Sequence, residues 1–83
     1  MPATNTIVQP ILRLGSTGEE VREMQQILNA TGHGYLILDG IFGPLTEEAV
    51  KRFQQTYNLT IDGIVGEVTW TILLEIDFRE GGH

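Results

Sequence analysis

Apolar residues fall on one face of three separate stretches of this chain. Between Thr17 and Asn29, Val21, Met24, Ile27 and Leu28 recur at helical spacing, which predicts an amphipathic helix beginning near Thr17. Either Thr17 with Glu20 or Ser16 with Glu19 matches a capping box at its start, and Gly32 is the expected left-handed stop. A second helix is predicted from Thr46 to Tyr57. There Val50, Phe53 and Tyr57, flanked by Ala49 and Gln54, oppose a polar face of Glu48, Arg52 and Gln55. Thr46 reads as its cap, Glu47 and Glu48 suit the positive end of its dipole, and Asn58 is available to end it. A third, shorter helix is predicted from Thr69 to Glu75, with Trp70, Leu73 and Leu74 turned inward.

The connections before the second and third helices share a plan. Asp39-Gly40-Ile41-Phe42-Gly43 precedes one, and Asp62-Gly63-Ile64-Val65-Gly66 precedes the other. In such loops the aspartate accepts hydrogen bonds from nearby amides, and the glycines, Gly40, Gly43, Gly63 and Gly66, are expected to supply positive φ. A weak repeat accompanies the loops: superposing Thr17 on Thr46 brings Val21 onto Val50, Met24 onto Phe53, Gln25 onto Gln54, Leu28 onto Tyr57 and Asn29 onto Asn58. Gln25 and Gln54 sit on or beside the buried stripe, where an unsatisfied amide costs roughly 1–3 kcal/mol. Each is read as tying down the backbone of a neighbouring Gly-rich loop, with ligand contact as the alternative. Tyr35-Leu36-Ile37-Leu38 before Asp39-Gly40 permits a short extended pair, but the arms do not alternate cleanly and a true sheet is not expected.

The fold class is therefore mainly α, a small three-helix bundle with two Gly-rich loop–helix repeats. Residues 1–10 read as a flexible arm or linker remnant, 11–76 as the domain and 77–83 as a fraying tail. Ile7, Val8, Ile11, Leu12 and Leu14 are candidates for an extended segment packed on the core.

Composition narrows the chemistry. Eighty-three residues make one domain with a small core. A net charge of −6, with only Arg13, Arg22, Lys51, Arg52 and Arg79 basic and scattered, argues against nucleic acid as partner. Cysteine is absent, which removes disulfides, thiolate metal sites and a cysteine nucleophile. No apolar run approaches a membrane span. The two histidines, His33 and His83, belong to no zinc-binding spacing, and His33 reads as a surface loop residue. Glu19-Glu20 and Glu47-Glu48 are explained by helix starts, so neither cofactor, metal nor catalytic constellation is expected.

Leu14-Gly15-Ser16-Thr17-Gly18-Glu19-Glu20-Val21, Met24 to Leu28, Asp39 to Thr46, Ala49-Val50, Phe53-Gln54, Asp62 to Gly66 and Thr69-Trp70 occur in an order that resembles the small peptidoglycan-binding modules of bacterial and phage wall-lytic enzymes. The resemblance runs from about Ile11 to Leu74. It implies a non-catalytic module that binds the glycan or the stem peptide of peptidoglycan and targets a linked catalytic domain to the wall. It also implies a monomer in an extracellular, wall-associated or periplasmic setting. On this reading Tyr35, Asp39, Phe42 and Arg52 are the candidate ligand contacts, and Thr17, Gln25, Asp39, Gly40, Gly43, Thr46, Gln54, Asp62, Gly63, Gly66 and Thr69 shape loops and caps. The stretch His33 to Leu38 is more apolar than the family pattern, as is Glu67-Val68 a departure before Thr69. The alternative is a protein-interaction or structural domain on the same fold.

Overall fold

The computed structural model describes residues 9–81. Three α-helices follow one another: α1 (Glu19–Ala30), α2 (Pro44–Thr56) and α3 (Glu67–Ile76). Past Ile76 the chain continues in a π-helical turn, Asp77–Gly81, over part of the stretch read as tail. Ile7 and Val8 lie outside the described residues, as do Gly82 and His83.

The apolar stripes meet in one core. Val21, Met24, Ile27 and Leu28 of α1 pack with Ala49, Val50 and Phe53 of α2 and Trp70 and Leu73 of α3, joined by Phe42 and Val65 from the loops and Leu12 from the N-terminal segment. Tyr57 and Leu74 are only partly buried against this cluster. Of the apolar residues before α1 that are described, Leu12 alone is buried; Ile11 and Leu14 are exposed. Extended backbone turns Ile11 to the face opposite Leu12, and the turn at Leu14-Gly15 carries Leu14 away from the core.

No strand forms among the described residues, yet two isolated antiparallel bridges tie loops to the segment before α1. Leu12 and Val65 exchange both backbone hydrogen bonds, at 3.1 and 2.8 Å. Thr17 pairs with Ile41, and around them Phe42 N–H donates to Ser16 O (2.9 Å), Gly15 N–H to Phe42 O (2.9 Å) and Gly18 N–H to Gly40 O (2.9 Å). The extended partner of Asp39–Phe42 is thus the chain before α1; Tyr35–Leu38 does not pair with Ile41-Phe42 in a hairpin. Trp70 fixes the N-terminal segment as well, its Nε1–H donating to Pro10 O at 2.8 Å.

This pairing moves the helix starts from the expected positions. The backbone of Thr17 is engaged with the first loop, so α1 begins only after Gly18, which turns the chain at φ 128°. No side chain caps α1, and neither capping box forms. Ser16 Oγ instead accepts from Arg13 N–H at 3.0 Å. The N-cap residues of α2 and α3 are Gly43 and Gly66, again without side-chain caps, and Pro44 takes the first position of α2, where its missing N–H costs nothing. Thr46 and Thr69 are therefore buried one turn inside their helices rather than capping them.

The helix ends follow local chemistry. After α1, Gly32 (φ 83°) donates to Asn29 O and His33 to Leu28 O; after α2, Asn58 (φ 59°) donates to Gln55 O and Leu59 to Gln54 O. Both are Schellman endings with a left-handed residue just past the helix. The superposition of Asn29 on Asn58 fails here, because Asn29 lies inside α1 while Asn58 is the left-handed residue beyond α2.

Candidate functional site

Each Asp-Gly loop closes on one buried glutamine. Gln25 Oε1 accepts from Gly40 N–H at 3.0 Å. Its Nε2 group faces three acceptors: Asp39 Oδ1 (3.2 Å), Ile41 O (3.0 Å) and Thr46 Oγ1 (3.1 Å). In the other half Gln54 Oε1 accepts from Asp62 N–H (3.1 Å) and Gly63 N–H (2.9 Å). Gln54 Nε2 faces Asp62 Oδ1 (2.9 Å), Ile64 O (3.0 Å) and Thr69 Oγ1 (3.3 Å). The reason Thr46 and Thr69 are buried is now visible: each hydroxyl completes the environment of an amide with no access to water.

The two aspartates serve the same turn. Asp39 Oδ1 accepts from Ile41 N–H, and Asp62 Oδ1 from Ile64 N–H, both at 2.9 Å. These amide bonds are the largest influence holding each carboxyl below the usual aspartate range, with the glutamine amides adding to it. Gly40 and Gly63 adopt φ of 72° and 73°. Gly43 and Gly66 are extended, at φ −101° and −96°, so the expectation of positive φ is corrected at those two positions. They sit at N-caps, where extended backbone is the norm.

A shallow depression of about 480 Å³ lies against the second loop. The chain leaving α2 (Asn58, Leu59, Thr60) forms one side of it. Asp62, Ile64 and Gly66 of the loop and Glu67, Val68 and Thr69 of α3 form the other, with Gln54 also in the lining. Its walls combine aliphatic side chains, hydroxyls, two amides and two carboxylates, without a basic or aromatic residue. Such a surface offers hydrogen-bond acceptors beside apolar contact, and no nucleophile–base pair.

None of the four candidate contacts lines this depression. Phe42 is 1% exposed and belongs to the core, so its candidacy as a ligand contact is corrected; it follows the exposed Ile41 in extended backbone and therefore faces inward. Tyr35 is fully exposed, at 101%. It neighbours Leu36, which Asn29 holds by two bonds, Leu36 N–H to Oδ1 and Nδ2 to Leu36 O, both 2.8 Å. Arg52 is exposed and lies 3.7 Å from Glu48 Oε1. Asp39 is exposed, with Oδ1 already engaged. Sequence reasoning overlooked Asn58 to Thr60 and Val68, because it followed the aromatic residues, which lie near the first loop. The available signal was the shorter connection from α2 into the second Asp-Gly pair.

His33 is half-buried rather than a free surface residue. Its ring meets Phe53 edge-on at 5.2 Å, and its nitrogens lie 2.8 Å from Thr31 Oγ1 and 3.3 Å from Thr56 Oγ1. Burial pushes its pKa down. Among the described residues no group of three or more His, Asp or Glu side chains converges to hold a metal ion.

The fold is a small three-helix module with a shallow depression beside its second loop. A family model described as "Putative peptidoglycan binding domain" matches residues 17–73, and the chain belongs to this family. The zinc D-Ala-D-Ala carboxypeptidase of Streptomyces albus G is 44% identical over 64 residues, covering 75% of this chain and 25% of that enzyme. A spore cortex-lytic enzyme of Bacillus cereus is 34% identical over 65 residues, 78% of this chain and 25% of its own length. Among solved structures, the SleB N-terminal domain superposes with a TM-score of 0.80 at 31% identity, covering 86% of this chain and 97% of that one. The Burkholderia AP3 phage endolysin superposes at 0.74 with 44% identity, over 77% of this chain and 24% of that one. The chain thus spans about a quarter of the length of the two wall enzymes.

Proposed function

We propose that this chain holds peptidoglycan in the depression beside the second Asp-Gly loop, without altering it, and so anchors a linked catalytic domain to the wall. The observation that carries this reading is a matter of coverage: the chain matches nearly the whole of an isolated N-terminal domain but only a quarter of two wall enzymes. A unit shared in this way is separable from the catalysis of its neighbours. Tethering raises the effective concentration of substrate around a linked active site even when the module's own affinity is modest. The setting that follows is extracellular, wall-associated or periplasmic, with the module acting as a monomer.

Tyr35 and Arg52, both exposed, serve as comparison positions outside the depression. The test is sedimentation of the purified chain with cell-wall sacculi, followed by analysis of the supernatant. Binding in the micromolar to millimolar range, about −4 to −8 kcal/mol, is expected of so shallow a site. Release of sugars or peptides would overturn the non-catalytic assignment. Absence of pelleting with the fold intact would favour a protein partner.

A further inference from the structure

We propose that the depression selects the peptide arm of peptidoglycan, through an aliphatic side chain and a protonated amine, and not the glycan strand. This rests on the placement of peptidoglycan in that depression. A pyranose ring offers a face of C–H bonds whose best partner is a flat aromatic ring. None lines the depression: Trp70, Phe42 and Phe53 are buried, while the exposed Tyr35 and Phe78 lie elsewhere. The apolar part of the wall consists instead of Leu59, Ile64 and Val68, whose branched shapes suit methyl and methylene groups.

The polar part of the wall carries charge of one sign. Asp62 and Glu67 are its only ionisable residues. Asp62 Oδ1 is occupied by Ile64 N–H and the Gln54 amide, so Oδ2 is the oxygen left for a ligand. Glu67, at the first position of α3, offsets the positive end of that helix, so the helix start does not recruit an anion. No cation lines the depression to accept a ligand carboxylate. Arg22 and Arg52 each lie within 4 Å of a glutamate on their own helix and Arg79 within 4 Å of Glu75, while Lys51 packs its stem against Gly63, outside the lining. The net charge of −6 extends the same preference over the whole surface. A ligand that satisfies both walls is a short aliphatic peptide bearing a free ammonium group, as the stem peptides of the wall do.

Two wall preparations and two competitors test this. Acetylating the free amines of sacculi removes the ammonium and leaves the glycan intact; bound protein should fall about two- to fivefold. Peptide-free glycan strands should not compete with untreated sacculi, whereas released stem peptides should. Glu67→Gln, an exposed change, should weaken binding to untreated sacculi and have no further effect on acetylated ones. Asp62→Asn, which keeps the loop's acceptor oxygen, should do the same. Equal binding to acetylated sacculi, or competition by glycan strands, would overturn the peptide assignment while leaving wall binding in place. No pelleting of the folded wild-type chain with any preparation would instead remove the binding reading beneath it.

Discussion

Replacing Gln54 with leucine removes one side chain and disconnects the second loop at four points and Thr69 of α3 at a fifth. Gln54→Leu keeps most of the volume of a residue that is 1% exposed, so the cavity contribution is small. What it deletes is the acceptor for Asp62 N–H and Gly63 N–H and the donor facing Asp62 Oδ1, Ile64 O and Thr69 Oγ1. The Gly63 N–H bond is buried, and an orphaned buried donor costs about 1–3 kcal/mol. The part-buried groups recover some hydration, and together they add roughly 1 kcal/mol. A total of about 2–4 kcal/mol is a large share of the 5–15 kcal/mol typical of a domain. It corresponds to a fall in Tm of roughly 10–30 °C for a chain of this size. Thermal unfolding followed by far-UV circular dichroism measures it. Gln54→Glu sharpens the test, because it keeps an acceptor for the two amides but sets a second carboxylate against Asp62. It should be strongly destabilised at neutral pH and recover partly toward about pH 4, where the new carboxyl takes a proton. A Gln54→Leu protein melting within about 2 °C of the parent would refute the idea that this amide holds the loop.

Gly40→Ala should destabilise by at least about 1 kcal/mol. Its φ is 72°, and the added Cβ would stand 3.0 Å from Gly18 O. Gly43→Ala, in extended backbone with nothing within 4 Å, should stay within about 0.5 kcal/mol by urea unfolding. Trp70→Phe loses the indole bond to Pro10 O and should cost about 1 kcal/mol, with protease cutting before Leu12 becoming faster. Stability should fall with acid in two stages. His33, whose pKa is lowered by burial, contributes stability that is present above 6.5 and lost as pH drops below that value toward its folded pKa. Asp39 and Asp62 contribute stability present above 3.8 and lost as pH falls through their lower folded values. Urea midpoints against pH should show both stages, and His33→Phe should erase the upper one alone.

How much of this molecule could be read along the chain depends on the range of the interactions involved. The three helices are legible because their apolar stripes repeat at helical spacing, and Gly32 and Asn58 end α1 and α2 because left-handed backbone is a property of one or two residues. Gln25 and Gln54 stand out as amides on apolar faces, a local anomaly that demands partners. The helix starts were not legible. Ser16-Thr17-Gly18-Glu19-Glu20 satisfies a capping pattern by itself, but pairing with Gly40, Ile41 and Phe42 claims that backbone first. The inward turn of Phe42 and the burial of Thr46 and Thr69 follow from the same long-range closure. The depression is more local: every residue lining it lies between Gln54 and Thr69, where the chain leaves α2, turns through the second loop and enters α3. Periodicity and turn chemistry act over a few residues and are therefore written in the chain. Which polar group finds which partner depends on competition among segments brought together only by the core, and that outcome belongs to the tertiary structure.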